Sequence, residues 1–443
     1  MNNYLGCLGG PAITPNIDAL AQNGRLFSNA YCASPACNPS RAAILTGYRP
    51  ETTGQYTNSG NFRNRANNVS IVTLPQKMMQ AGYNTIAAGK IFHLPRGNSK
   101  DSVSTLSDPQ SWNFQQIGEV GTPSNKDYLT ANNVAKWLAE DTLKFNAENY
   151  LAKASIWGAI KEKKEECGDW KMSQYCADFL KKEQTKPFFL ALGISRPHQP
   201  LLAPKEYFDK YPLNTITLPE WLETDMDDIP ASAQSNFSTD FVGLIKKKNQ
   251  LRLAYQAYLA SMSFADECIG NALKALSEGP NTNNTIVILF SDHGFQLGQK
   301  KRWEKYSLWR LATNAPLIIQ YPNMRNKGVT CNIPVSLMDI HPTILQLTGI
   351  TPEENLECES LVSLLGDPYA ERYNPAVITH EEGNNSVIFE KWNYIKYKNG
   401  EQELYNHETD IQEKINLAKN IDNEQIILSL QKFIPKVKIK QTP

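Results

Sequence analysis

Residues 285–290, Thr-Ile-Val-Ile-Leu-Phe, form an unbroken β-branched and aromatic run that stops at the polar Ser291-Asp292-His293-Gly294. A strand with one wet face alternates apolar and polar side chains. A strand apolar on both faces must be covered on both, as in the centre of a parallel sheet. The same pattern recurs at 83–88 ahead of Gly89-Lys90-Ile91-Phe92-His93, at 188–193 ahead of Ser195-Arg196-Pro197-His198-Gln199-Pro200, and at 316–321. Helical stretches lie between them. Thr14-Pro15 reads as an N-cap and first helical residue, with Ile17, Leu20 and Ala21 as the apolar stripe and Gly24 ending the helix before a strand over 25–31. Further helices are predicted over 75–81, closed by Gly82, over 250–276, with Leu253, Ala257, Ala260, Phe264, Cys268 and Leu276 at helical spacing, and around 340–347.

This alternation predicts an α/β fold whose open, mostly parallel sheet is covered by helices on both faces. In such sheets the site lies beyond the carboxyl ends of the strands. Lys90, His93, His198, Asp292 and His293 all follow strands in that sense. From about residue 375 the pattern changes to short β-like pieces, 376–378, 387–389, 394–397 and 403–405, and a closing helix over 424–433. We expect a main domain over 1–374 and a small antiparallel α+β subdomain over 375–443. The charge run 161–166 is expected on a solvated helix face. Residues 95–130 read as a polar loop, and with 205–245 they carry no decipherable code for a ligand.

Composition narrows the function. Lys+Arg and Asp+Glu are equal at 45 each, so no global field points to nucleic acid or to an anionic membrane surface, and an anionic ligand needs a local cluster. No apolar run approaches the roughly 20 residues of a membrane-spanning helix. Eight cysteines are scattered without a C-x-x-C pair, which gives no zinc pattern. Cys167 with Cys176 and Cys331 with Cys358 are disulfide candidates, and reduced buried thiols fit equally well. The first residues have neither the basic start nor the apolar core of a signal peptide.

The chemistry gathers at Cys37-Asn38-Pro39-Ser40-Arg41-Ala42-Ala43-Ile44-Leu45-Thr46-Gly47. Pro39 suits a first helical position and Gly47 a helix stop, so Cys37 is expected to face a helix N-terminus, where N–H groups and the dipole favour an anion. Arg41 adds a fixed positive fork one turn on. A carboxylate directly after an apolar strand, as at Asp292, is costly without a partner and marks a cation ligand. His341, His380 and His407 are read as structural.

These motifs resemble the type I, formylglycine-dependent sulfatase family. Cys37-x-Pro39-Ser40-Arg41 with Leu45-Thr46-Gly47 is similar to its signature. Thr14-Pro15-Asn16-Ile17-Asp18, Gly89-Lys90, Pro197-His198, Ser291-Asp292-His293-Gly294 and the ending Leu404-Tyr405-Asn406-His407-Glu408-Thr409-Asp410 agree with it. Phe92-His93, His293 and Lys305, thirteen residues past Asp292, resemble the iduronate-2-sulfatase branch among polysaccharide sulfatases. The resemblance implies an alkaline phosphatase-like fold, Cys37 converted to formylglycine (3-oxoalanine) by a maturation enzyme, and Ca²⁺ held by Asp292, His293 and residue 37. It further implies a sulfated oligosaccharide or polysaccharide substrate, plausibly a 2-O-sulfated uronic acid, and a periplasmic or secreted full-length protein. Arg41, Lys90, His93 and Lys305 are expected to hold the sulfate, and His198 to give a proton to the leaving hydroxyl.

One departure carries its own expectation. Members of the family begin with an apolar strand ending in an Asp-Asp pair that ligates the metal, just before a segment like Tyr4-Leu5-Gly6-Cys7-Leu8-Gly9-Gly10. Here Met1 stands after the expected position of that pair. We expect a start at an internal methionine, with a signal peptide, the first strand and both aspartates upstream. The alternative is a binder of sulfated glycans impaired in catalysis.

Overall fold

The computed structural model describes residues 1–65, 70–93, 107–116, 157–219, 224–234 and 241–441. Most of the expected 95–130 loop, and parts of 205–245, lie outside the described residues. In chain order the strands are β1 (Arg25–Phe27), β2 (Ala30–Tyr31), β3 (Asn84–Gly89), β4 (Phe114–Gln116), β5 (Trp157–Ile160), β6 (Phe188–Gly193), β7 (Leu201–Pro204) and β8 (Val287–Phe290). They continue with β9 (Gln296–Leu297), β10 (Trp303–Glu304), β11 (Leu317–Gln320), β12 (Thr330–Cys331), β13 (Val335–Ser336), β14 (Ala376–Thr379), β15 (Asn385–Phe389), β16 (Trp392–Lys396) and β17 (Gln402–Asn406).

The expected α/β sheet is present, and it is mixed. β3 pairs parallel with both β4 and β6, from Asn84 opposite Phe188 to Gly89 opposite Gly193. β1 pairs parallel with β12, but β11 runs antiparallel to both β1 and β8. An apolar run shows that both faces are covered and says nothing of direction, so the antiparallel member could not be read from its composition. The single strand expected over 25–31 is broken into β1 and β2, because β1 pairs with β11 and β12 while β2 pairs with β13.

The long helix Leu251–Glu278 covers one face, burying Tyr258, Ala260, Phe264 and Cys268 among others. It packs on the helix Gly168–Leu180, whose Met172, Cys176, Ala177 and Leu180 share a core with Ala272 and Ala275. The charge run ahead of that helix forms only a short 3-10 turn, Lys164–Glu166, rather than a helix face. All eight cysteines are free thiols, so neither candidate disulfide is formed.

β6 and β8 are the outer strands of their two sheets, and their facing edges border one apolar cavity of about 1050 Å³. Helical residues Ala265, Ile269 and Leu273 and Ile340 and Ile344 line it as well. Every residue of β6 is only half-buried, and Phe290 of β8 is 40% exposed although its register partner Leu317 is fully buried. At the carboxyl ends of both strands the cavity lining includes Asp292 and His198.

β14 to β17 form an antiparallel meander, with the helix Glu424–Gln431 packed on it through Ile427 and Leu430 against Val377, Val387, Tyr394 and Leu404. The other face of this sheet is shared with the main body. Ile378, Ile388 and Tyr405 belong to one core cluster with Phe27, Trp309 and Leu317. Buried Glu403 stitches the two together, accepting from Trp309 Nε1 at 2.9 Å and from the hydroxyls of Tyr397 and Tyr405. His407 lies here too, 2.8 Å from Glu413, in the structural role expected of it.

Candidate active site

The Cys37 helix begins two residues earlier than its proline indicates. It spans Cys37–Thr46, with Ala36 in extended conformation as its cap and Gly47 at φ +75° closing it. Pro39 still falls in the first turn, where its missing N–H costs no intrahelical bond. Cys37 is therefore the first helical residue rather than a neighbour of the N-terminus. Asn58 Oδ1 takes up the N–H of Asn38 at 2.9 Å. The Cys37 side chain is 1% exposed, with Lys305 Nζ at 2.9 Å and His293 Nε2 at 3.3 Å from its sulfur. Burial alone would raise this thiol, yet Lys305, Lys90 and His293 overcome it and hold its pKa well below the ordinary value.

Lys90 and Lys305 follow strands, and Arg41 comes from the Cys37 helix itself. Lys90 follows β3, is 7% exposed, and has its pKa lowered mainly by burial. Its neighbourhood depends on a close backbone approach, since a Cβ on Gly89 would lie 2.2 Å from Gly193 O. Arg41 reaches across, its Nε donating to Asp292 Oδ2 at 2.7 Å and its Nη1 to the carbonyls of Lys90 and Ile91 at 2.7 and 2.8 Å. One guanidinium thus ties the Cys37 helix to the ends of β3 and β8. Lys305 arrives between two left-handed residues, Glu304 at φ +78° and Tyr306 at +68°, and is 3% exposed.

His198 sits on the loop after β6, with Nδ1 2.6 Å from Gln199 O, so that nitrogen carries the hydrogen and Nε2 is left as an acceptor. Burial first, then Lys90, bring its pKa down to about 4. In this state His198 accepts a proton and does not yet donate one. His93 is half-buried, and burial again lowers its pKa. The sequence-predicted residues Cys37, Arg41, Lys90, His93, His198, Asp292, His293 and Lys305 thus converge, linked by direct contacts or by electrostatic coupling to residue 37.

Asp292, His293 and Cys37 offer donor atoms within 4.8 Å of one another. His293 Nδ1 is 2.8 Å from Gly294 O, which turns Nε2 toward the cluster. Burial would raise the carboxyl of Asp292, and Arg41 and His293 hold it far below the usual carboxylate range. Ser40 Oγ donates to the Asp292 carbonyl at 2.5 Å. As a calcium shell this set falls short. Ca²⁺ takes about six to eight oxygens, whereas here one carboxylate, already engaged by Arg41, stands with an imidazole and a soft sulfur. The described residues supply part of a hard-cation site and not the whole of it.

Two participants are not foreseeable from motif reading. Ser40 braces the Asp292 backbone. Glu304, buried beside Lys305, lines the cavity. Only Ser40 lay inside a recognised motif, and its role depends on a partner 252 residues away.

Similarity to known proteins agrees with this geometry. A family model described as "Sulfatase" matches residues 1–350, and one described as N-sulphoglucosamine sulphohydrolase, C-terminal, matches 298–440. A sulfatase of Formosa agariphila is 33% identical over 432 residues, covering 96% of this chain and 82% of that protein. Iduronate 2-sulfatase of Homo sapiens is 34% identical over 353 residues, and the match covers 74% of this chain but 58% of the human protein. In fold, the chain is similar to a 2-O GAG sulfatase, with TM-score 0.71, 20% identity and coverage of 97% and 88%. It is likewise similar to the phosphonate monoester hydrolase of Agrobacterium radiobacter, with TM-score 0.76, 18% identity and coverage of 97% and 92%. The length and identity of these matches show that the chain belongs to the sulfatase family of sulfuric ester hydrolases.

Proposed function

We propose that the protein hydrolyses sulfate esters on a sulfated sugar or polysaccharide, with a 2-O-sulfated uronic acid as the first substrate to try. The observation that carries the reading is the buried Cys37 sulfur at a helix start, 2.9 Å from Lys305 and 3.3 Å from His293. That is where a tetrahedral anion would meet a nucleophile, a helix terminus and fixed cations together. Human iduronate 2-sulfatase and the 2-O GAG sulfatase support the choice of ester.

Conversion of Cys37 to formylglycine would supply a hydrated aldehyde at the helix start, a nucleophilic oxygen with a second oxygen on the same carbon for releasing sulfate. The remaining work belongs to the chain. Lys90 and Lys305 neutralise the sulfate oxygens, and Arg41 fixes Asp292 and the β3 end in register. His198 meets the leaving oxygen. It is neutral in the resting pocket, and an anionic ligand raises its pKa and charges Nε2 for donation. His93 contacts sulfate or supports Lys90. Calcium at Asp292, His293 and the oxygen of modified residue 37 belongs to this reading, but the donors present complete only part of its shell, so no step is routed through it.

The slot between β6 and β8 bears on that gap. Two strand edges, unpaired among the described residues and facing an apolar cavity, are the surroundings of one further strand, and in this reading an apolar segment upstream of Met1 occupies the slot between those edges, delivers the acidic pair beside Asp292, and carries a periplasmic or secretory leader. The main domain then spans 1–374 together with that strand, and 375–443 is the C-terminal subdomain. Reading the DNA upstream of the Met1 codon tests this: an in-frame apolar stretch ending in two aspartates is expected, and a stop codon directly upstream overturns it. The incomplete cation shell also favours a second reading, a sulfated-glycan binder impaired in catalysis. Protein co-produced with a formylglycine-generating enzyme decides between them. Release of inorganic sulfate from a 2-O-sulfated unsaturated uronate disaccharide is expected, with the residue-37 peptide carrying the aldehyde by mass spectrometry. Binding without release, by protein carrying the aldehyde, supports the second reading.

A further inference from the structure

Glu304 occupies a position that burial energetics disfavours for a carboxyl. It is 3% exposed, its Oε1 has no hydrogen-bond partner, and no ion pair to it is found among the described residues. Its backbone lies at φ +78°, a region that side chains other than glycine rarely adopt, and such strain persists where the surrounding structure enforces it. The side chain lines the same cavity as Lys90, His198, Asp292 and Lys305. Of the two acids on that wall, Asp292 is paired with Arg41 at 2.7 Å. Glu304 is the acid left uncompensated by such a pair. Burial raises its pKa to about 7 while Lys305 pulls it down and Cys37 pushes it up, so it carries charge above neutrality, next in sequence to the Lys305 whose Nζ is 2.9 Å from the Cys37 sulfur.

We propose that Glu304 is a specificity-determining residue that admits a singly charged sulfate ester group to the Lys90 and Lys305 pocket and disfavours groups that carry two charges themselves, such as inorganic sulfate and phosphate monoesters. The inference rests on the sulfate-ester reading above. Lys90 and Lys305 attract any anion, so on their own they hold a dianion more firmly than a monoanion. A fixed negative charge in a poorly screened site repels in proportion to the ligand's charge. Glu304 therefore subtracts about twice as much from a dianion as from a monoanionic ester. Hydrolysis turns a monoanionic ester into the sulfate dianion, so the same carboxylate that tolerates the substrate drives out the product.

The test compares wild type with Glu304→Gln by titration calorimetry at pH 8, above the pKa of Glu304, using inorganic sulfate as the dianion and methyl sulfate as the monoanionic ester. Removing the charge should tighten inorganic sulfate roughly tenfold and methyl sulfate only about threefold. The variant should melt at or above the wild-type temperature, since an unpartnered buried carboxyl adds nothing to the fold. An unchanged ratio of the two affinities overturns the proposal and leaves the sulfate-ester reading standing. A clearly lower melting temperature makes Glu304 a structural residue and also overturns it. Failure of the wild type to bind either anion overturns the sulfate-ester reading and this proposal together.

Discussion

At the scale of single residues the site is a contest between burial and charge. Cys37, Lys90 and Asp292 are withdrawn from water and His198 is half-buried, which disfavours their ionised forms. For Cys37 and Asp292 neighbouring charges win, and for Lys90 and His198 burial wins. Lys305 is the pivot, because it sits 2.9 Å from the sulfur. Lys305→Met should raise the pKa of the unconverted Cys37 thiol, seen as a shift of its thiolate ultraviolet absorbance to higher pH. In the converted enzyme it should lower kcat/KM about 10²- to 10³-fold, the usual loss for a preorganised charge at a developing anion. Cys37→Ser should release no sulfate at all, because serine does not give the aldehyde by the same oxidation; turnover by that variant would remove residue 37 from the chemistry. Cys37, Arg41, Lys90 and Lys305 were legible in the sequence because each carries its chemistry in its own side chain and sits in a short pattern. Glu304 was not, since a Glu beside a Lys reads as an ordinary surface pair until the fold buries both.

At the scale of elements, what positions these groups is the abutment of strand ends. β3 and β6 stay in register to their last pair, Gly89 opposite Gly193, where a Cβ on Gly89 would lie 2.2 Å from Gly193 O and a Cβ on Gly193 would lie 2.2 Å from Lys90 O. Gly89 also needs φ +78°, so it is doubly excluded from substitution. Gly89→Ala should push the two strand ends apart and displace Lys90 and the His198 loop together. We expect a loss of about 2 kcal/mol or more, read as a lower melting temperature, together with weaker sulfate binding. A variant that melts normally and binds normally would show that the abutment is not needed. Such element ends were legible, since Gly-Lys after an apolar run and a proline-flanked histidine announce a strand stopping at a site. The pairing partners were not. β11 and β8 have similar apolar sequences, yet they run antiparallel, because direction is set by the connection between them and not by side-chain pattern.

At the scale of the whole molecule, two buried histidines and one half-buried one, in different regions, make stability depend on acid in a definite sense. His198 lies at the site, His341 in the helix Ile340–Leu347 under the Cys37 helix, and His380 just after β14. Burial is the leading cause in each, and each pKa falls from the ordinary 6.5 to about 4. Between those values the unfolded chain binds protons that the folded one refuses, so stability is complete above about pH 6.5 and is lost as pH falls toward 4. Each site contributes on the order of 3 kcal/mol at the acid end, which is large against a typical total of about 5–15 kcal/mol. Buried acids such as Glu51 and Glu403, whose pKa values are raised chiefly by burial, act in the opposite direction. The informative quantity is therefore the difference between a variant and its parent. His341 is the cleanest choice, because it is 1% exposed, lies away from the reacting groups, and has neither ring nitrogen hydrogen-bonded to a side chain. His341→Gln should flatten the fall in melting temperature between pH 6.5 and 4.5 while leaving sulfate affinity at pH 7 unchanged. A parallel fall in variant and parent would mean that His341 takes up its proton in the folded state as readily as in the unfolded one.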